Sequence, residues 1–384
     1  MWEGIRADRG DQMTKQELEF FRNKKILVTG HTGFKGSWLC RILALAGAKI
    51  TGYSLAPEEE ALYPMAAKSA EEDGSLISVI ADIRDYECLR AVIQGMQPDL
   101  VLHMTAQPIV RTSYEQPRYT YETNVMGTVN ICEAVRMTPS VRSFLNVTTD
   151  KVYKNEERGE AFREDEPLDG FDPYSNSKSC SELVTHSYVN SFLREQGVAV
   201  STARAGNVIG GGDFARDRII PDSVRAAMAK ESIRVRNPYS IRPFQHVLEP
   251  LFMYLTILRA QALDPSLAGA YNIGPEDTDC VTTGDLVTRF CRAWNASGNE
   301  GEPDLSWEDV GNIGPHEATF LKLDCSLARK TFGWKPVWNI DRALEETVAW
   351  TRVYAAGGDV EAEMNREIEA FLSDSSRQTG EGVE

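Results

Sequence analysis

No stretch of this chain is long and apolar enough for a membrane span. Met1 to Gln16 is charged and has no apolar core, so it does not read as a secretory signal. It reads as a disordered lead-in, with the disordered extension drawn over residues 1–22. Cysteine is sparse, seven residues with no C-x-x-C pair: Cys40, Cys88, Cys132, Cys180, Cys280, Cys291 and Cys325. An odd, scattered set argues against a disulfide framework or a metal site and for the reducing cytoplasm. Internal repeats and low-complexity arrays are absent. Basic residues are in deficit, 41 Lys plus Arg against 57 Asp plus Glu, for a formal net charge of -16. That makes the chain a poor candidate for non-specific nucleic-acid binding. It leaves local arginines free to hold a small anionic ligand.

What is present is organised around Lys25 to Leu39. The apolar run Ile26 to Val28 is followed by Gly30, Gly33 and Gly36, then by a helical apolar pattern through Leu39, Ile42, Leu43 and Ala46. This reads as strand, tight turn, helix. Glycines let backbone approach a pyrophosphate, and a helix N-terminus offers free N–H groups and a positive dipole end. The spacing is G-x-x-G-x-x-G rather than G-x-G-x-x-G. Alone such a triplet is often a mere turn; its place between strand and helix turns it into a cofactor loop.

Further strands are expected at Lys49–Leu55, Leu76–Ile80, Leu100–His103, Ser143–Val147 and Val198–Ala203, with helices at Tyr86–Gln94, Pro117–Arg136 and Glu182–Arg194. Pro57 to Gly74 reads as a loop with one helical turn. The alternation predicts an α/β fold, a Rossmann-type doubly wound parallel sheet with ligands at the strand C-terminal ends. Residues 23–205 are assigned to that domain, completed by parts of 240–270. Residues 206–372, punctuated by Gly210-Gly-Gly, Pro221, Pro238 and Pro243, are assigned mainly to a smaller α/β substrate lobe, and 373–384 to a disordered tail. The second strand ends Gly52-Tyr53-Ser54-Leu55 with no acid until Glu58, so the acid that selects NAD over NADP is missing. Asp85 is expected to cap the next helix, and Asp82 either accepts from an adenine amino group or only shapes a turn.

Tyr174-x-x-x-Lys178 opens a helix and places both side chains on one face. An ammonium beside a phenol stabilises phenolate, so Tyr174 becomes a candidate base. A surface pair is the bland alternative. Thr148-Thr149-Asp150-Lys151 follows the fifth strand, where cofactor and substrate meet. An acid beside a base suits elimination of water across neighbouring carbons; a solvated strand-end ion pair is the alternative.

With these residues in place, the chain resembles the extended short-chain dehydrogenase/reductases and, within them, the nucleotide-sugar dehydratases of the CDP-glucose 4,6-dehydratase type. The resemblance covers roughly Lys24 to Gly357. It rests on residues 28–38, 51–57, 106–111, Thr149-Asp-Lys-Val-Tyr153, Asp172-Pro-Tyr-Ser-Asn-Ser-Lys178, 204–213, 242–250, 271–275 and His316-Glu-Ala318. It implies NAD as cofactor, held by Gly30, Thr32, Gly33, Phe34, Lys35, Gly36, Ser54, Asp82, Ile83, Thr105, Ala106, Gln107, Tyr174 and Lys178, and no metal. It implies oxidation at carbon 4 of CDP-glucose with Tyr174 as base, aided by Lys178 and Thr149. Lys151 then takes the carbon-5 proton, Asp150 protonates the departing carbon-6 hydroxyl, and hydride returns to carbon 6. Lys151 replaces the Glu of dTDP-glucose dehydratases and serves as base only with a depressed pKa.

Substrate is assigned to Arg111, Arg204, Asn207, Arg218, Arg242 and His246, each arginine having surface charge as its alternative. The chain departs from the pattern at Thr105 (Ala expected), Thr149 (Ser expected), and Phe214 and Phe244 (Trp expected). The resemblance also implies a homodimer or higher homo-oligomer. The rival functions are another nucleotide-sugar enzyme of this fold, epimerase or dehydratase, and a non-catalytic dinucleotide sensor. An epimerase has no use for the Asp150–Lys151 pair; a sensor predicts a broken Tyr/Lys pair.

Overall fold

The structure, a computed structural model, describes residues 13–156, 159–298, 303–311 and 321–379. The strands among them are β1 (Lys25–Thr29), β2 (Lys49–Ser54), β3 (Leu76–Ile80), β4 (Leu100–His103), β5 (Ser143–Val147), β6 (Ala199–Ala205), β7 (Asn207–Ile209), β8 (Ile233–Val235), β9 (Ile241–His246), β10 (Ala270–Ile273), β11 (Cys280–Thr282) and β12 (Trp307–Asp309). Ile26, Leu27 and Val28 are fully buried, as a strand covered on both faces requires. Seven strands pair in the order β10-β6-β5-β4-β1-β2-β3, all parallel. Strand order reverses between β1 and β4, which makes their C-terminal ends the switch-point crevice of a Rossmann-like sheet. Thr29 registers with Tyr53 on one side and His103 on the other. Gly30 and Met104 therefore leave the sheet side by side.

The helix Leu248–Leu263 is apolar around its whole circumference because it is covered on every side. It packs on β5 and β6 and is crossed by the helix Phe34–Leu45. Gln261 ties it to Ser143 (2.7 Å) and the Phe144 carbonyl (3.0 Å). The seventh strand, β10, lies immediately beyond it. The smaller lobe joins β11-β9-β7 and the pair β12-β8 to the helices Ile219–Ala229, Thr283–Ala296 and Ile340–Ala355. Its core includes Ile209, Val235, Leu286, Phe290 and Val348. Gly206 alone separates β6 from β7, so the lobe grows directly from a strand end.

Both ends correct the disorder assigned to them. Met13, Leu18, Phe20 and Phe21 are buried, the short helix Lys15–Leu18 carries a capping box between Thr14 and Glu17, and Glu17 pairs with Arg259 at 2.8 Å. Residues 1–12 lie outside the described residues. The tail continues the helix Val360–Thr379, whose Met364, Ile368, Phe371, Leu372 and Ser375 are buried. That spacing is one helix face, and the polar residues between had read as a disordered composition. Residues 380–384, like His316-Glu-Ala318, lie outside the described residues.

Pro57 to Gly74 holds two short helices, Tyr63–Ala66 and Lys68–Glu72, rather than one turn. The expected helix over Pro117–Arg136 carries a π segment, Glu122–Met126, between Pro117–Tyr121 and Gly127–Arg136.

Candidate active site

The cofactor loop is shaped by two glycines. Gly30 has φ +79°, and a Cβ there would lie 3.0 Å from Thr105 N. A Cβ at Gly36 would lie 2.1 Å from the Gly30 carbonyl oxygen, so the helix Phe34–Leu45 can start against the turn only with glycine. Gly33 is the exposed N-cap, leaving the first-turn N–H groups open to the crevice. The loop is braced sideways. Thr32 Oγ1 donates to Ser54 Oγ (2.8 Å) or the Leu55 carbonyl (2.9 Å). His31 packs on Gly52, shares a 2.8 Å hydrogen bond with Ser78 through Nε2, and burial pushes it down to about 4. Thr29 Oγ1 accepts from Met104 N (3.1 Å) and donates to His103 Nδ1 (2.7 Å). Burial, helped by the Lys178 charge, takes His103 to about 3, so the ring is the neutral acceptor this geometry needs.

Beyond the crevice, Asp172 caps the helix Pro173–Tyr188 by accepting from Ser175 N at 3.0 Å, with Pro173 in its first turn. This start brings Tyr174 and Lys178 under the end of β5. Lys178 is buried and donates to the Val147 carbonyl at 3.0 Å. Burial lowers it to about 8, against the opposing pull of Glu182. Tyr174 is pushed up to about 12 by burial and by the Asp150 charge, while its hydrogen bond with Thr149 and the Arg218 charge act the other way.

Thr149 begins the 3₁₀ turn Asp150–Val152 and donates to Asp150 Oδ1 at 2.9 Å. The other oxygen, Asp150 Oδ2, is buried, has no hydrogen-bond partner among the described residues and faces Gly206, where a Cβ would stand 3.3 Å away. Lys151 is half-buried; its N–H meets Thr149 Oγ1 at 3.4 Å. Lys35 reaches the same space. Its ammonium lies 3.4 Å from the Tyr254 hydroxyl, and burial, with Arg218 and Lys178 nearby, lowers it to about 8 against Asp150 and Asp213.

Gln107 turns inward. It donates to Thr120 Oγ1 (2.9 Å), and its own N–H goes to Asn124 Oδ1 (2.8 Å). Asn124 sits in the π segment and also reaches Ser177 (2.8 Å). π segments often mark functional positions, and nothing in the sequence pattern announced this one. Ile83 is buried against Gly127. Asp82 lies in a surface cavity of about 460 Å³ with Arg84, Glu122 and Met126, its carboxylate held by Arg84 at 2.6 Å. Asp85 caps its helix as expected. Thr105 and Ala106 are half-buried at the crevice edge.

The substrate assignments divide. Arg111 and Arg236 both meet Asp217, at 3.5 and 3.1 Å, across a cavity of about 550 Å³ that Arg225 and Arg234 also line. Arg218 pairs with Asp213 at 3.1 Å on the catalytic side. Asn207 is half-buried on β7; Arg242 is buried on β9, with Nη1 3.2 Å from the Ile241 carbonyl.

Arg204 and His246 are corrections. Arg204 is buried and forks onto Glu182 with two contacts of 3.0 Å. His246 is fully buried, lies 3.4 Å from Glu367, and has Trp38 and Trp338 against its ring. Both stand at strand ends but point into the protein. Phe214 packs on Trp350 and Tyr354, and Phe244 lies in the lobe core, so neither stands in the arginine-lined cavity. Arg225, Arg234 and Arg236 were missed because their argument is spatial. Glu182 was missed although it stands eight residues from Tyr174 on the same helix face.

The family description "GDP-mannose 4,6 dehydratase" matches residues 27–347. The chain is 43% identical to a CDP-glucose 4,6-dehydratase of Salmonella typhimurium, over 94% of this chain and 99% of that protein. The chain belongs to the nucleotide-sugar 4,6-dehydratases. A more distant member, a dTDP-glucose 4,6-dehydratase of Xanthomonas campestris, is 27% identical over 84% of this chain and 92% of its own length. Among solved structures, a dTDP-glucose 4,6-dehydratase of Bacillus anthracis in complex with NAD has a TM-score of 0.72 at 22% identity, covering 89% of this chain and 99% of that one. A UDP-glucuronic acid 4-epimerase of Bacillus cereus has a TM-score of 0.73 at 20% identity, covering 86% and 99%. Dehydratases and epimerases share this fold, so the chemistry is decided by side chains in the crevice.

Proposed function

We propose that this protein is an NAD-dependent CDP-glucose 4,6-dehydratase, converting CDP-glucose to CDP-4-keto-6-deoxyglucose and water for deoxysugar synthesis. The observation that carries the reading is the convergence of the buried Tyr174–Lys178 pair with the turn Thr149-Asp150-Lys151 opposite the glycine loop. The 43% identity to a CDP-glucose 4,6-dehydratase supports it over nearly the whole chain.

The residues present fit the cofactor. The close-packed Gly30–Gly36 turn and the exposed Gly33 N-terminus suit a pyrophosphate. The surface cavity at Asp82 suits an adenine edge, and the Thr32–Ser54 hydroxyls suit a ribose. Bound there, NAD would supply the hydride acceptor for carbon 4 and, once reduced, the hydride donor for carbon 6.

This chain's residues do the rest. Tyr174 takes the carbon-4 hydroxyl proton, with Thr149 holding the phenol and the Lys178 ammonium favouring phenolate. The resulting ketone acidifies carbon 5. Lys151 removes that proton, and Asp150, whose Oδ2 is unsatisfied, protonates the carbon-6 hydroxyl as water leaves. Arg111 and Arg236 serve the substrate diphosphate or its nucleoside, with Arg218 nearer the sugar. Asn207 and Arg242 complete the substrate side.

The seven free cysteines support a cytoplasmic setting. Exposed Tyr121, Leu183 and Phe192 support self-association into a homodimer through the helices that bear them. Incubation with NAD and, separately, CDP-glucose, dTDP-glucose, UDP-glucose and GDP-mannose tests the reading by mass spectrometry. Loss of water from CDP-glucose alone is the expected outcome. Loss from another nucleotide sugar overturns the nucleotide. No mass change with any of them overturns dehydration and favours an epimerase.

A further inference from the structure

Glu182 stands one helical turn beyond Lys178 and two beyond Tyr174, so the three side chains share one face of Pro173–Tyr188. Its carboxylate is buried and has no freedom to move. Thr148 donates to Oε1, Thr202 donates to Oε2 at 2.7 Å, and Arg204 forks across both oxygens at 3.0 Å each. Arg204 also donates to the Tyr153 hydroxyl (2.8 Å) and the Glu164 carbonyl (3.0 Å), and Tyr153 donates to Asn272 at 2.6 Å. Tyr153 ends the turn that carries Asp150 and Lys151, and Thr148 precedes it. One buried ion pair therefore fixes both flanks of the catalytic turn and the floor beneath Lys178.

We propose that Glu182 is a positioning residue for the Tyr174–Lys178 pair, its carboxylate being the countercharge that keeps the Lys178 ammonium charged inside the protein. The proposal rests on the reading of Tyr174 as the base. Among the described residues the hydrogen-bond partner of the Lys178 ammonium is a carbonyl oxygen, from Val147, and a neutral dipole does not offset the burial of a full charge. Burial lowers Lys178, and the charge that opposes it is Glu182. Arg204 and the two hydroxyls hold that carboxylate in place. Without it the ammonium loses its proton at a lower pH, and the phenolate loses its support there too.

The test compares the full-length wild type with Glu182→Gln and with the double variant Glu182→Gln/Arg204→Met. The double variant removes both buried charges at similar volume, which keeps the fold where the single variant leaves Arg204 unpaired. The first readout needs no turnover. In ¹³C-lysine-labelled protein the Lys178 ε-carbon signal, assigned by its loss in Lys178→Met, is titrated against pH. Its midpoint is expected to fall by about one pH unit in Glu182→Gln and by less in the double variant, which removes the Arg204 charge as well. The alkaline limb of kcat with CDP-glucose should move with it, lowering kcat near the wild-type limb about tenfold while KM stays within about twofold. Glu182→Asp, which keeps the charge, should keep the limb. A Lys178 midpoint unchanged in the variants overturns the proposal, since a purely structural Glu182 lowers thermal stability and leaves that titration alone. A wild type that releases no water from CDP-glucose defeats the functional reading instead and leaves the lysine titration to decide Glu182 by itself.

Discussion

Gly36 is the residue with least room to change. A methyl group there meets the Gly30 carbonyl at 2.1 Å and His31 Cα at 2.6 Å, both backbone atoms of the cofactor loop. Gly36→Ala should cost about 1–3 kcal/mol of stability and raise the KM for NAD at least about tenfold, read by denaturant melting and by cofactor titration. A normal KM would show that the loop tolerates the shift. The catalytic roles separate in the same way. Lys151→Ala should abolish exchange of the carbon-5 hydrogen with deuterated solvent while oxidation at carbon 4 persists; normal turnover would remove Lys151 from its role. Tyr174→Phe should abolish the oxidation itself, read as the absorbance of the reduced nicotinamide. At this scale the sequence exposed the glycines, the Tyr/Lys pair and the Asp/Lys turn because each is a short motif. Arg204 and His246 misled because a strand-end position does not say which way a side chain turns. Glu182 and Asn124 are held by partners distant in sequence.

Elements were legible where their pattern was local. The parallel strands announced themselves by short apolar runs, and the helix bearing Tyr174 by Asp172 and Pro173. The helix Val360–Thr379 was missed because its buried positions are spaced among Ser, Asp and Arg, a composition shared with disordered tails. It packs against the helices Ile340–Ala355 and Phe34–Leu45 and meets the helix Leu248–Leu263 through Phe371. Phe371 stacks on Phe252 with centroids 4.9 Å apart and meets Trp338 edge-on at 5.0 Å. Phe371→Ala should therefore cost about 3–5 kcal/mol, the range for a large cavity in a packed core. The urea midpoint measures it. A loss below about 1 kcal/mol would mean that the helix contributes little to the fold. The π segment was invisible in sequence because it changes hydrogen-bond partners without changing the helical face that the apolar residues mark.

Across the whole molecule, buried titratable groups set a stability optimum that the net charge of -16 does not reveal. Glu249 is fully buried and burial raises it to about 8, although Oε1 accepts from Val337 N and Trp338 N at 2.9 and 2.7 Å. Glu367 is raised well above its ordinary value by burial, with Glu346 and Glu363 adding to the effect and Arg366 and Arg342 opposing it. Both acids hold their proton in the folded state, whereas the unfolded chain releases it near 4.5. Their contribution is whole below that pH and declines as pH rises, for Glu249 up to about 8. His31, His103 and His246 run the other way. Burial lowers them to about 4, 3 and 3, so the folded state keeps them neutral while the unfolded chain protonates near 6.5. Their contribution is whole above that pH and declines as pH falls.

Lys35 and Lys178, lowered to about 8, titrate above the crossing. Below about 4.5 the histidine slope acts, joined by acids such as Asp82, Glu133 and Asp324 that hydrogen bonds hold below their ordinary value, and above about 6.5 the glutamate slope acts, so the maximum of stability falls between them. Melting temperature scanned across pH should show that maximum and a decline towards pH 8. Glu249→Gln, which keeps the shape without an ionisable proton, should flatten the alkaline decline. A melting temperature that rises from about pH 6.5 to 8 in the wild type would mean that Glu249 and Glu367 are ionised in the folded protein.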